Sequence, residues 1–200
     1  MSNQPRPNGL RPVGTIGGTQ YNGAARLYSI AAANVNAFAL GDPVITDGVV
    51  GADTRGVPAI TLATVTAPLR GVIVGLFDAY PGIASVSNPN SIIRPAGAQP
   101  VVWYAMVVDD PKALFEVQEQ AGGTLLALAD VGLNTNLVAG ANNAFISGWT
   151  LSNATEAVTA TLQVKIFGPV QRPDNFIGLP FARWLVSINN HELDAGTAGV

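Results

Sequence analysis

Chemistry at neutral pH draws mainly on histidine, cysteine, carboxylates of shifted acidity, or a bound metal. The 200-residue chain has one histidine, His191, and no cysteine. His191 stands close to Glu192 and Asp194, either of which is a suitable partner for an imidazole. A nucleophile for it to activate is lacking. The nearest approach to a Gly-x-Ser-x-Gly element is Ile146-Ser147-Gly148-Trp149, which lacks the motif's first glycine and has its other glycine one place too early. A lone histidine near a chain end is more often a packed or surface residue than a base.

The densest acidic group is Asp109, Asp110, Glu116 and Glu119. A calcium loop needs oxygen ligands at alternate positions and a glycine at its turn. Pro111 and the alternating pattern after it break that spacing, so a turn leading into a half-exposed strand is expected. Asp42, Asp47 and Asp53 lie beside Gly41, Gly48 and Gly51 and read as turn residues. Gly14-Thr15-Ile16-Gly17-Gly18 has no following Lys-Ser/Thr pair, so it is not a phosphate loop. The Asn153-Ala154-Thr155 sequon matters only in a secreted protein. No catalytic residue, metal site or cofactor is expected from these patterns.

Trp103, Trp149 and Trp184 each fall on or beside an expected strand. Core packing is the favoured reading. The alternative is that they anchor an interface, where tryptophan is enriched.

The elements that carry these residues follow from composition. The chain is 48% hydrophobic but only 12% charged, about half the usual share for a soluble domain. Two lysines and four glutamates are too few to solvate the faces of a helical bundle. Glycine and proline make up 36 residues, which implies many turns between short strands. The expected fold is all-β: a single β-barrel or β-sandwich domain, with an extended N-terminal arm and at most one or two short helices. Apolar runs or alternation mark strands at Val44 to Thr46, Ala59 to Thr66, Gly71 to Phe77, Val101 to Val108, Ala113 to Glu119, Thr159 to Phe167 and Trp184 to Ile188. Asp47-Gly48 is a hairpin signal, residues 81 to 100 a long loop, and Thr124 to Asp130 a helical turn or two.

Residues 1–23 are rich in proline and glycine and read as an arm that orders only against another surface. Residues 24–193 form the β-rich body, and 194–200 a loose tail. Side chains of the first 41 residues carry +3 and those of the remaining 159 carry −6. A basic arm on an acidic body suits docking to an acidic partner, and strand addition at a neighbour's sheet edge is one way to do it. The contact candidates on the arm are Pro5, Arg6, Pro7, Arg11 and Tyr21. No run of basic residues suggests nucleic acid. The start, MSNQPRPNGLRPVG, lacks an apolar signal region, and the uncharged interval Val131 to Thr155 is broken by Gly140, Asn142, Asn143 and Ser147. No membrane partner is therefore expected, and synthesis in a cytoplasm is.

Several segments together resemble a known group: GDPVITDG, GVPAITLAT, RGVIVGLFDAYPG, AMVVDDPKALFEVQEQ, ADVGLNTNLVAG, TATLQVKIFGPVQRPDNFIG and ARWLVSINNHEL. In order and content they are similar to virion proteins of tailed bacteriophages regarded as capsid decoration, or cement, proteins. The similarity spans roughly residues 21 to 193 and is most specific from Val164 to Leu193. It implies a non-enzymatic β body made in a bacterial host and bound outside the capsid shell. The implied partners are the major capsid protein and further copies of the chain, as a dimer or trimer. Another virion location, at the head–tail junction or tail, is the first alternative, and a glycan-binding β-sandwich the second.

Overall fold

A computed structural model describes residues 2–48, 53–81, 93–143 and 145–199. Its strands in chain order are β1 (Arg11–Thr15), β2 (Arg26–Ile30), β3 (Phe38–Ala39), β4 (Pro43–Thr46), β5 (Ile60–Leu62), β6 (Gly71–Phe77), β7 (Ile93–Arg94), β8 (Trp103–Val108), β9 (Ala113–Gln118), β10 (Asn134–Thr135), β11 (Leu137–Val138), β12 (Thr150–Leu151), β13 (Val164–Pro169) and β14 (Arg183–Ile188). The fold is all-β, with open antiparallel sheets consistent with a β-sandwich. Among the described residues the helical content is one 3-10 turn, Leu128–Asp130, inside the stretch expected to turn helically.

One five-stranded sheet runs β1-β9-β14-β13-β10 and the other β2-β8-β6-β4-β5. Their cores follow from the alternation of strand side chains. In the first sheet, Phe115, Val117, Trp184, Val186, Val164 and Ile166 point inward and meet Val72 and Val108 from the second. Val107 and Ile73, next in sequence to these, point the other way into a second cluster with Tyr28, Ile30, Phe38, Ile60 and Trp103. The second sheet curls far enough that its edges touch once, with the Ser29 amide donating to the Pro58 carbonyl at 2.8 Å. One bridge is not a ladder, so the sheet remains open.

The sequence places most strands within a few residues. Gly71–Phe77 has the expected bounds because it is a continuous apolar run, buried at both Val72 and Ile73. The late strand begins at Val164 rather than Thr159. Gln163 stops the ladder, being fully buried with its side chain bonded to the Leu137 amide and the carbonyls of Thr64 and Ala67. β4 pairs antiparallel with β5, and the connection from Asp47 to Ala59 that begins with the Asp47-Gly48 signal includes residues 49–52, which lie outside the described residues, as do 82–92 of the expected long loop.

Two expectations at the chain ends need correction. The N-terminal segment does not stand away from the body as an arm. β1 pairs with β9 and so forms the edge of the first sheet, and Leu10 is buried in its core. Residues 19–21 then return along the outer side of β1, with Thr15 N–H donating to the Thr19 carbonyl at 2.9 Å. Gly9 and Gly14 here serve close packing. Gly9 has φ +59°, and a Cβ there would sit 2.3 Å from the Gly41 carbonyl oxygen. The tail is not loose either. Asn189 Oδ1 accepts from the Thr197 amide at 3.0 Å, Asn134 donates to the Thr197 carbonyl at 2.7 Å, and Lys165 donates to the Ala198 carbonyl at 3.1 Å.

Candidate functional site

Strand alternation alone would put Glu116 and Gln118 of β9 on a solvent face. Both are buried instead, at 5% and 1% exposure. Two segments cover them: residues 3–8 of the N-terminal stretch, and residues 170–181 between β13 and β14. Asn3 ties these segments together. Its amide donates to the carbonyls of Phe176, Leu179 and Pro180 at 2.8, 3.2 and 3.0 Å, and its Oδ1 accepts from the Phe176 amide. Asn175 folds the 170–181 segment against β14 by bonding the Val170 carbonyl and both backbone groups of Arg183.

Beneath this cover, Gln118 accepts from the Arg6 amide at 3.0 Å and donates to the carbonyls of Gln4 and Phe181. Phe181 holds φ 67°, in the left-handed region that a bulky residue seldom occupies. The bond from Gln118 helps keep it there. Glu116 receives two arginines: Arg183 at 2.9 Å and Arg172 at 3.1 Å. Arg183 also donates to the Arg6 carbonyl at 2.9 Å. The register explains the meeting. Arg183 lies opposite Gln118 and Leu185 opposite Glu116, so Arg183 and Glu116 are diagonal neighbours on one face. A buried carboxylate with two guanidinium partners is compensated.

The cover leaves a pocket of about 310 Å³, lined among others by Arg6, Arg11, Arg172, Arg183, Glu116 and Asp174. Half the chain's arginines meet here. Arg11 enters because β1 sets it opposite Glu116. Arg172 is shared between Glu116 and the exposed Asp174, at 3.4 Å from the latter. Four guanidinium groups against two carboxylates leave an excess of two positive charges in a chain of net charge −3. Among the described residues, the guanidinium groups of Arg6 and Arg11 have no hydrogen-bond or ion-pair partner, and both residues are exposed. Guanidinium does not give up its proton near neutrality. The chemistry on offer is the holding of negative charge, not proton transfer.

Of the contact residues expected from sequence, Arg6 and Arg11 thus reach one pocket. Pro5 is exposed and Pro7 half-buried beside it, while Tyr21 is elsewhere, packed against the first core, where burial raises its hydroxyl pKa. Arg172 and Arg183 went unnoticed in the sequence. They fall in ordinary loop and strand patterns, and only the sheet order brings them to residue 6.

The tryptophans are corrected as interface anchors. Trp103, Trp149 and Trp184 are 6%, 5% and 0% exposed, so they have almost no surface left to bury on a partner. They pack the cores, as the favoured reading had it. The acidic group disperses. Asp109 accepts from Tyr28 at 2.6 Å and Arg26 at 3.3 Å, Asp110 caps the Lys112 amide, Glu116 joins the pocket and Glu119 receives the Trp184 indole. Asp42 is a fully buried turn residue, its acidity weakened by burial, and it accepts from the Ala39 amide. His191 is buried, its Nδ1 accepting from the Leu193 amide at 3.0 Å, and burial lowers its pKa. Its sequence neighbours are engaged elsewhere: Glu192 with the Thr46 amide at 2.8 Å and Asp194 with Lys112 at 3.6 Å. Among the described residues no three histidine, aspartate or glutamate side chains converge on a metal-sized space. Compared with known proteins, the chain matches no family model, no curated protein and no solved structure.

Proposed function

We propose that this chain is a non-enzymatic structural protein of a tailed-phage particle, a decoration or cement protein bound to the outside of the capsid shell. Its partners are then the major capsid protein and other copies of itself, as a dimer or trimer, and its place is the virion. The observation that carries the reading furthest is the arginine pocket: positive charge gathered at one rigid spot on an otherwise weakly charged all-β surface. Such a spot suits the acidic side chains of a protein shell. The segment similarity to decoration proteins supports the same reading from the sequence. The glycan-binding alternative relied on exposed aromatics, and the three tryptophans are buried.

The test is rebinding. Capsids purified without this protein should take it up to a fixed stoichiometry and then resist heat or chelation better than bare shells. Capsids that bind none, or bind it without saturation, would remove the decoration reading. Deleting residues 1–20 is a poor probe of the contact, because it strips β1 from the sheet edge. Side-chain substitutions at Arg6 and Arg11 leave that strand in place.

A further inference from the structure

We infer that the arginine pocket is a receptor for carboxylate side chains of an acidic protein segment, with Arg6 and Arg11 as the ligand-holding pair and Arg172 and Arg183 as its built-in support. The inference rests on the decoration reading for the identity of the partner, but not for the chemistry of the site. The pocket already holds one carboxylate. Glu116 sits against Arg183 and Arg172 at 2.9 and 3.1 Å, so the geometry for a guanidinium–carboxylate pair exists within it. Those two arginines are committed. Arg6 and Arg11 are exposed at the rim, and their guanidinium groups find no partner among the described residues.

Holding unpaired like charges close together costs energy that an entering anion would relieve. The backbone beneath Arg6 is fixed, its amide on Gln118 and its carbonyl on Arg183, both bonds near 3 Å. Arg11 is fixed by the β1–β9 ladder. The two rim residues are therefore placed before anything binds, which lowers the ordering cost of binding. A nucleic-acid backbone needs a stripe of basic groups. Here the remaining cations lie elsewhere: Arg26, Arg55, Arg70 and Lys112 are each paired to a carboxylate, Arg94 is buried on backbone carbonyls, and Lys165 donates to Thr197 and Ala198. One compact concavity fits one or two acidic side chains better than a polyphosphate track.

The experiment is a calorimetric titration of the intact protein with hexaglutamate at low salt, with inorganic phosphate and hexalysine as separate arms. Saturable one-site binding of hexaglutamate is expected, weakened by added salt and absent for hexalysine. The double substitution Arg6→Ala with Arg11→Ala should weaken it by about tenfold or more without changing the melting temperature, since neither guanidinium supports the fold. Binding that is absent, or unchanged in the double variant, overturns the inference. Phosphate binding without hexaglutamate binding also overturns it, as a small-oxyanion site. Because the titration uses no capsid, its failure is separate from failure of the rebinding test.

Discussion

The residue that departs furthest from its ordinary chemistry is Glu119. It is fully buried beside Trp184, and its pKa is pushed from 4.5 up to about 7 by burial. Hydrogen bonds from the Trp184 indole and the Leu126 amide favour the charged form, but loss of water outweighs them. The folded state thus binds this proton more tightly than the unfolded chain does. The stability it brings is whole below about pH 4.5 and is lost as pH rises through 7, by roughly 3 kcal/mol in all. Urea unfolding of the wild type should show that decline between acid and mildly alkaline pH. Glu119→Gln should flatten it, since glutamine keeps an acceptor for the indole and has no proton to lose. An undiminished slope in the variant would assign the effect to other groups. The strand period places this glutamate in phase with Phe115 and Val117, the inward-facing residues of β9, and the packing of Ala182 and Trp184 over it completes its enclosure.

At the scale of elements, the ribbon of β3 and β7 depends on one buried cation. Arg94 is 0% exposed and has no carboxylate partner among the described residues. Its guanidinium instead donates to the carbonyls of Asn34 and Asn36 at 2.5 and 2.6 Å and of Ala31 and Pro95 at 3.4 Å, with Phe38 beneath it at 5.6 Å. It gathers the turn between β2 and β3 onto β7. Arg94→Met keeps the length but leaves those carbonyls without donors, which should cost about 3 kcal/mol. Arg94→Lys should cost less while still lowering the urea midpoint, because one ammonium cannot span the fork that guanidinium covers. Equal stability of wild type and Arg94→Met would show that water replaces the clamp. Strands of this protein were legible where a run was apolar throughout, as in β6, or alternated cleanly, as in β14. Coverage of the outer face of β9 was not legible. It comes from residues more than 50 positions away, so no window along the chain contains both the strand and its lid. The same distance hid the pocket: Arg6 and Arg11 stood out by charge, while Arg172 and Arg183 needed the β9–β14 register to become their neighbours.

For the whole molecule, the edges of the sheets are occupied from within. Residues 19–21 line β1, Ala157 lines β10 by reciprocal bonds with Asn134, and the edges of the second sheet meet at Ser29 and Pro58. Covered edges discourage strand-to-strand aggregation and turn association toward faces, such as the one bearing the pocket. The N-terminal segment belongs to this closure. Deleting residues 2–15 should lower the denaturation midpoint, with a loss of stability on the order of 3 kcal/mol or more, because Leu10 leaves the core and Glu116 and Gln118 lose their cover. Increased binding of a hydrophobic dye would report the uncovered β9. A truncated protein as stable as the full chain would restore the picture of a detached arm.

Sheet order also dictates a timetable. The strands of the second sheet, β2, β4, β5, β6 and β8, all lie between residues 26 and 108, so they can pair while the chain is still being made. The first sheet must wait. Its middle strand, β14, is the last one synthesised, and it separates β9 from β13. Until residues 183–188 emerge from the ribosome, β9 has β1 on one side and nothing on the other. The nascent protein therefore passes through an interval with half its architecture complete and the flank of β9 bare, the period in which a helper that shields hydrophobic strands would matter most.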